Sequence, residues 1–120
     1  MRGLNEMNVI VTGGAAGIGA AISRRLAEEG ARVGIFDLDA DGAERLADEI
    51  RAEGGSADAY AVDIADWDAV QAGVAKRADD AGFIGGLVNN AGWDRAVSFL
   101  ESDHDLWRKV IDINLYGPLN

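Results

Sequence analysis

The chain has 120 residues and is strongly acidic, with 21 Asp and Glu against 11 Lys and Arg and a formal net charge of −10. This charge argues against nucleic acids and anionic membranes as partners, because proteins that follow phosphates need a basic surface. The absence of cysteine excludes disulfides and thiol chemistry. An apolar content of 48% suits one soluble α/β unit, and no apolar run is long enough for a signal peptide or a membrane span. We therefore expect a cytoplasmic protein.

The first predicted unit is a strand, a glycine turn and a helix. Val9–Val11 is a β-branched run, typical of a strand buried on both faces of a parallel sheet. Glycines between Thr12 and Gly19 allow the backbone to turn sharply and to approach a pyrophosphate at the start of the next helix. Apolar residues at helical spacing predict that helix, and Gly30 is placed to end it. The apolar positions are Ile18, Ala21, Ile22 and Leu26.

The second predicted strand, residues 32–36, ends at Asp37. A carboxylate at this point can accept hydrogen bonds from the adenosine ribose hydroxyls of a dinucleotide. It would also repel the 2′-phosphate of NADP. Because Ala15 and Ala16 leave the glycine turn without a basic residue, the sequence favours NAD over NADP.

Strand and helix patterns alternate along the rest of the chain without a linker or repeat. Strands are predicted at 57–62 and around 86–89, and helices follow the second and third strands. The alternation predicts a Rossmann-type α/β domain over residues 1–120, a doubly wound parallel sheet whose usual strand order is 3-2-1-4. The predicted core stripes are Ala43, Leu46, Ala47 and Ile50 on the second helix, and Trp67, Val70, Val74 and Ala78 on the third.

Acidic residues of the second helix are interpreted as a solvated face, and the chain has a single histidine, His104. Its neighbours Asp103 and Asp105 are typical of the first turn of a helix, where the dipole favours carboxylates. The sequence therefore predicts no metal site.

The turn Thr12–Gly19 matches the pattern Thr-Gly-x-x-x-Gly-x-Gly, and with it the chain resembles the short-chain dehydrogenase/reductase family. Asp63-Ile64, the segment Asn89–Gly92 and Asn114 agree with further motifs of that family, in the same order. The resemblance implies an oxidoreductase that moves hydride between NAD and a small alcohol or ketone, in a homo-oligomer when complete. It implies cofactor contacts from Thr12, Gly13, Gly17, Ile18, Gly19, Asp37, Leu38, Asp63, Ile64, Asn90 and Gly92.

The resemblance also implies a catalytic role for Asn114, a sheet-steadying role for Asn89 and a place near the cofactor ribose for Asn90. The residues alone leave other roles open. Asp63 is equally suited to contact an adenine or to serve as a carboxylate of a loop or helix start, and adjacent asparagines also form turns. Asn114 continues the apolar stripe of Trp107, Val110 and Ile111, so it is predicted on a buried face, where it needs polar partners or bonds to nearby backbone.

The family's catalytic Tyr, with Lys four residues later and Ser upstream, has no match here. Four residues after the two tyrosines, Tyr60 and Tyr116, stand Ile64 and Asn120. We therefore expect an amino-terminal fragment truncated before that pair, or alternatively a non-catalytic NAD-binding module. For the substrate, Trp93-Asp94 and the opening segment 1–6 resemble dehydrogenases of alicyclic hydroxyacyl-coenzyme A thioesters. Reductases of 3-oxoacyl-carrier-protein are the alternative.

Overall fold

A computed structural model describes residues 3–120, which form a four-stranded parallel sheet with flanking helices. The strands are β1 (Asn8–Thr12), β2 (Arg32–Asp37), β3 (Ser56–Ala61) and β4 (Ile84–Val88). Their order is β3-β2-β1-β4, and every neighbouring pair is parallel. The predicted fold class and strand order are confirmed, with small shifts at the ends of β3 and β4.

Four helices connect or follow the strands: α1 (Gly17–Glu28), α2 (Ala40–Ala52), α3 (Trp67–Ala81) and α4 (His104–Ile111). A short 3₁₀ turn, Phe99–Glu101, precedes α4, which continues through a π-helical stretch, Asp112–Tyr116, into a last turn, Gly117–Leu119. The starts of α2, α3 and α4 follow Asp39, Asp66 and Asp103, and each carboxylate accepts a hydrogen bond from a first-turn N–H. Gly30, with φ of 87°, follows the end of α1 as predicted.

The main core lies between the central strands and α2. All of β1 is buried, and Val11, Val33 and Ile35 have no exposed surface. The predicted stripe of α2 packs against them, because Ala43, Leu46, Ala47 and Ile50 are all buried. Each fully buried aliphatic side chain of this kind contributes about 1.5–3 kcal/mol to folding, so this cluster anchors the sheet from which the site extends.

The core stripes predicted for α1 and α3 are wrong in part. On α1 the buried residues are Gly19, Ser23 and Ala27, whereas Ile18 is 76% exposed. On α3 only Val70 and Arg77 are buried. On α1, Ile22 and Leu26 of the predicted stripe are half-buried against the core. On α3, a small residue lets the helix backbone approach the sheet closely. Gly73 of α3 shows this, since a Cβ there would lie 2.7 Å from the Val62 Cγ2 atom.

Arg77 is fully buried near the amino-terminal end of the sheet. Its guanidinium donates hydrogen bonds to Asn8 Oδ1 at 2.7 Å, Asp58 Oδ2 at 2.8 Å and the Arg32 carbonyl at 2.9 Å. These acceptors belong to β1, β3 and β2. Gly34 provides the space, because a Cβ there would lie 3.0 Å from Arg77 Cδ. One side chain of α3 thus ties three strands together, at the opposite end from the glycine turn.

Candidate dinucleotide-binding site

A cleft of about 450 Å³ opens where the carboxyl ends of β1 and β2 meet the loops after β3 and β4. Open parallel sheets bind ligands at this edge. Six of the residues predicted from sequence line it: Gly13, Asp37, Leu38, Asp63, Ile64 and Gly92. The other predicted cofactor residues, Thr12, Gly17, Ile18, Gly19 and Asn90, lie in the glycine turn or beside it rather than on the cleft wall.

The glycine turn leaves no room for side chains at three positions, Gly13, Gly14 and Gly19. Gly13 has φ of 62°, and a Cβ on it would lie 2.9 Å from the Ala91 Cα atom. A Cβ on Gly19 would overlap the Gly13 carbonyl oxygen. A Cβ on Gly17 would meet open space, so the turn is tight underneath and bare on its outer surface. Such a bare backbone surface fits the close approach of a pyrophosphate.

The start of α1 differs from the starts of the other three long helices. Its N-cap, Ala16, provides no side-chain hydrogen bond, and its first turn contains no acidic residue. The first N–H groups of an α-helix have no partner within the helix. Together with the positive end of the helix dipole, these N–H groups suit an anionic ligand. The residues present therefore fit a dinucleotide, which would place its pyrophosphate here.

The Asp37 carboxylate faces the cleft and also braces the glycine turn. Its Oδ2 atom accepts a hydrogen bond from the Ala15 N–H at 3.0 Å, and its Oδ1 atom accepts one from the Asp39 N–H at 3.0 Å. Because a carboxylate has about four acceptor sites, these two bonds leave capacity for ribose hydroxyls. The neighbouring Leu38 is 72% exposed, which leaves an apolar surface for a flat ring.

Thr12 and Asn90 join β1 to the loop after β4. The Thr12 hydroxyl accepts hydrogen bonds from the N–H groups of Asn90 and Ala91, both at 3.1 Å, and donates to the Val88 carbonyl at 3.3 Å. The Asn90 amide donates to the Thr12 and Gly13 carbonyls at 3.1 Å. These bonds give Asn90 a sheet-steadying role, and the role expected of Asn89 stays a prediction. Successive residues point in opposite directions as a strand ends, and the side chain that points toward β1 is that of Asn90.

Asp63 and Ile64 follow β3 on the far wall of the cleft. Asp63 Oδ1 accepts a hydrogen bond from the Ala65 N–H at 2.9 Å, which is a local turn bond. Ile64 packs against Gly117, where a Cβ would lie 2.5 Å from the Ile64 Cδ1 atom. Asp63 is thus a loop carboxylate that also lines the cleft, so its structural role in the loop is compatible with a cofactor contact.

Asn114 lies in the π-helical stretch after α4, and its side chain is exposed, so the predicted buried face is wrong. Trp107 and Ile111 of the same stripe are also exposed. Asn114 Oδ1 accepts a hydrogen bond from the Trp93 N–H at 2.9 Å, and its amide donates to the Trp93 carbonyl at 2.6 Å. These paired bonds agree with the alternative that Asn114 bonds to backbone groups. They hold Trp93, the residue that directly follows Gly92.

Trp93 and Lys109 line the cleft, although sequence reasoning gave Lys109 no role there. The Lys109 ammonium lies 3.8 Å from the centre of the Trp93 ring, a cation–π contact. Lys109 stands four residues before Ile113, another residue of the cleft wall that the structure and not the sequence identifies. Residues at this spacing share one side of a helix.

The groups with shifted pKa values lie outside the cleft. Burial raises the pKa of the Tyr60 hydroxyl, which donates to Asp80 Oδ2 at 2.8 Å. Hydrogen bonds from Lys76 and Tyr60 lower the pKa of Asp80. Over residues 3–120, three or more metal-ligating side chains do not gather at any point, and no helix is both long and apolar enough to cross a membrane.

Comparison with known proteins agrees with this geometry. The family model described as "short chain dehydrogenase" matches residues 7–120. A D-threitol dehydrogenase of Mycolicibacterium smegmatis is 42% identical over 108 residues, covering 90% of this chain and 42% of that protein. An L-rhamnose 1-dehydrogenase (NAD(P)(+)) of Azotobacter vinelandii is 42% identical over 118 residues, covering 95% of this chain and 46% of that protein.

Among solved structures, a citronellol catabolism dehydrogenase of Pseudomonas aeruginosa PAO1 superposes with a TM-score of 0.91 at 35% identity. The match covers 96% of this chain and 47% of that one. The chain thus spans less than half the length of these two curated relatives and of this solved structure. From the family match, the motifs and the fold together, we conclude that this chain belongs to the short-chain dehydrogenase family.

Proposed function

We propose that this chain is the dinucleotide-binding part of an oxidoreductase that transfers hydride between NAD and an alcohol or ketone. One observation carries the proposal: the bare glycine turn, the uncapped start of α1 and the Asp37 carboxylate adjoin one cleft. The turn and the N–H groups of α1 would hold the pyrophosphate, and Asp37 the adenosine ribose. Leu38, Asp63 and Ile64 would surround the adenine. When bound, the nicotinamide supplies the hydride acceptor or donor.

NAD is proposed as the preferred cofactor because Asp37 places a negative charge where NADP carries its 2′-phosphate. Like charges at a shared site disfavour binding. The loop residues Ala15 and Ala16 offer no compensating cation. The name of the Azotobacter relative includes both cofactors. The ratio of NAD to NADP affinity is therefore to be measured on this chain.

Asn114 is proposed as a positioning residue for the reaction of the complete subunit. Its bonds to both polar backbone groups of Trp93 hold the Gly92–Trp93 segment, and this segment forms one wall of the cleft. Gly92 permits the contact, since a Cβ there would lie 2.9 Å from Asn114 Oδ1. The bound cofactor would therefore meet a fixed surface on this side.

The 120 residues contain no Tyr followed four positions later by Lys. We propose that this pair and the upstream Ser belong to the rest of the subunit. The complete protein is proposed to be a cytoplasmic homo-oligomer. The second candidate is a non-catalytic NAD-binding module, and the missing pair is the observation that favours it. The coding sequence downstream of Asn120 separates the two candidates: a Tyr-x-x-x-Lys motif there supports the enzyme, and its absence supports the module.

The substrate is proposed as a small molecule with an oxidisable hydroxyl group. The two curated relatives and the solved structure described above are named for D-threitol, L-rhamnose and citronellol. A narrower proposal is a hydroxyacyl-coenzyme A thioester such as 2-hydroxycyclohexanecarboxyl-CoA, which rests on Trp93-Asp94 and on the opening segment. Residues 1 and 2 of that segment lie outside the described residues. Reduction of a 3-oxoacyl group on carrier protein stays the alternative to that narrower proposal.

Binding of NAD to the purified chain, measured by isothermal titration calorimetry, tests the cofactor proposal directly. We expect saturable binding of NAD and weaker binding of NADP. The absence of any dinucleotide binding would refute the proposed function of this cleft. For the substrate, NADH formation by the complete subunit is compared across threitol, rhamnose, citronellol and the hydroxyacyl thioester.

A further inference from the structure

Lys109 is the only cation among the described residues that line the cleft. The lining of the cleft also includes two carboxylates, Asp37 and Asp63. A dinucleotide brings further negative charge through its pyrophosphate, and NADP adds a 2′-phosphate. Lys109 is therefore the one lining side chain whose charge attracts either cofactor.

Lys109 also lacks the ion pairs that occupy most cations of this acidic chain. Arg24, Arg25, Arg32, Arg51, Lys76 and Arg77 each have a carboxylate within 4.0 Å. Within the described part of the chain, Lys109 has none, and its ammonium lies over the Trp93 ring instead. An exposed cation–π contact is weak, so a phosphate can draw the ammonium away at little cost.

The position of Lys109 indicates which phosphate it can meet. Lys109 lines both the main cleft and an adjoining hollow of about 340 Å³. Leu38 and Asp63 also line both of these spaces. Leu38 directly follows Asp37, the residue proposed to bind the adenosine ribose. Lys109 thus shares the part of the cleft lined by Leu38 and Asp63, which the proposed function assigns to the adenosine.

We propose that Lys109 is a cofactor-specificity residue that binds the 2′-phosphate of NADP and partly offsets the repulsion from Asp37. This inference rests on the proposed function. Lysine suits the role because its ammonium is a compact charge on a flexible four-carbon stem. The site then prefers NAD through Asp37 and accepts NADP as a second cofactor through Lys109.

Binding of four ligands to the wild-type chain and to Lys109→Met tests this role by calorimetry. The pair 5′-AMP and 2′,5′-ADP isolates the 2′-phosphate at the adenosine end, and NAD and NADP repeat the comparison with whole cofactors. The control is Arg45→Met, which removes one positive charge from the exposed side of α2, where Arg45 has no carboxylate within 4.0 Å among residues 3–120. Circular dichroism checks that each variant keeps its fold.

For Lys109→Met we expect 2′,5′-ADP and NADP to bind about tenfold more weakly, the size of one charge pair at partial exposure. Binding of 5′-AMP and NAD should change less than about twofold. Equal weakening of all four ligands would overturn the proposal by placing Lys109 at the pyrophosphate, and so would no change in any of them. An equal loss of NADP binding in Arg45→Met would reduce the effect to net charge and overturn it too. If the wild-type chain binds none of the four, the proposed function itself fails.

Discussion

Removal of the Arg77 guanidinium should destabilise the fold more than any surface substitution. We choose Arg77→Met, because methionine keeps much of the apolar stem but removes the charge and the hydrogen bonds. Arg77 is fully buried and donates to acceptors on β1, β2 and β3 at 2.7 to 2.9 Å. The substitution therefore acts on three strands at once.

The magnitude follows from what each acceptor can do after the change. The Asp58 side chain is 52% exposed, so water can replace its lost partner at little cost. Asn8 is 2% exposed, and its Oδ1 atom would lose the only donor that it has among residues 3–120. A buried acceptor left without a partner costs about 1–3 kcal/mol, and both Asn8 Oδ1 and the Arg32 carbonyl lose the guanidinium. We expect a loss of about 3–5 kcal/mol, a large part of a typical domain stability of about 5–15 kcal/mol.

Urea denaturation followed by far-ultraviolet circular dichroism measures the loss. Arg77→Lys should fall between wild type and Arg77→Met, because a lysine ammonium keeps the charge but not the planar fork of donors. The control Arg45→Met, on the exposed side of α2, should change the free energy of unfolding by less than about 0.5 kcal/mol. A loss below about 1 kcal/mol for Arg77→Met would refute the argument that this buried network ties the strands together.

Three further predictions concern the site and the titrating groups. Gly19→Ala should abolish dinucleotide binding, because the added Cβ would overlap the turn. Gly17→Ala should weaken binding less, because its Cβ would point into open space. Calorimetry that finds the weaker binding in Gly17→Ala would contradict the turn geometry. Asp37→Asn should shift the ratio of NAD to NADP affinity toward NADP by about tenfold while one amide oxygen still accepts from the Ala15 N–H, and an unchanged ratio would remove Asp37 from its proposed role. Burial raises the pKa of Tyr60, so the contribution of Tyr60 to stability is complete below pH ~10 and is lost as the pH rises through the higher pKa of the folded state. Urea denaturation at a series of pH values should show that the free energy of unfolding falls less steeply at alkaline pH in Tyr60→Phe. Identical slopes in the two proteins would contradict the shift.

The succession of strands and helices and the glycine turn were predictable because they depend on local patterns. β-branched runs, turn glycines and the Asp residues that precede α2, α3 and α4 act within a few residues of themselves. Parallel strands joined by helices then permit few arrangements. The stripe of α2 was also predictable, since its four apolar residues face one packed surface.

The faces of α1 and α3 were not predictable in this way, because helical periodicity identifies an apolar stripe and not the partner that covers it. Gly73 and Ser23 lie against the sheet because they are small. Arg77 is buried because four groups from distant strands meet its guanidinium. No window of sequence around residue 77 contains those partners.

The same division holds at the site. The sequence by itself determined that a bare glycine turn precedes a helix and that a carboxylate ends the second strand, since both follow from residue types at fixed spacing. Only the tertiary structure decided that Asn90 ties the loop to β1, that Asn114 holds the backbone of Trp93, and that Lys109 faces the same cleft as Asp37. The bonds of Asn114 and Asn90 join residues 21 and 78 positions apart, and Lys109 and Asp37 belong to separate elements. Their geometry exists only once the sheet and α4 are packed.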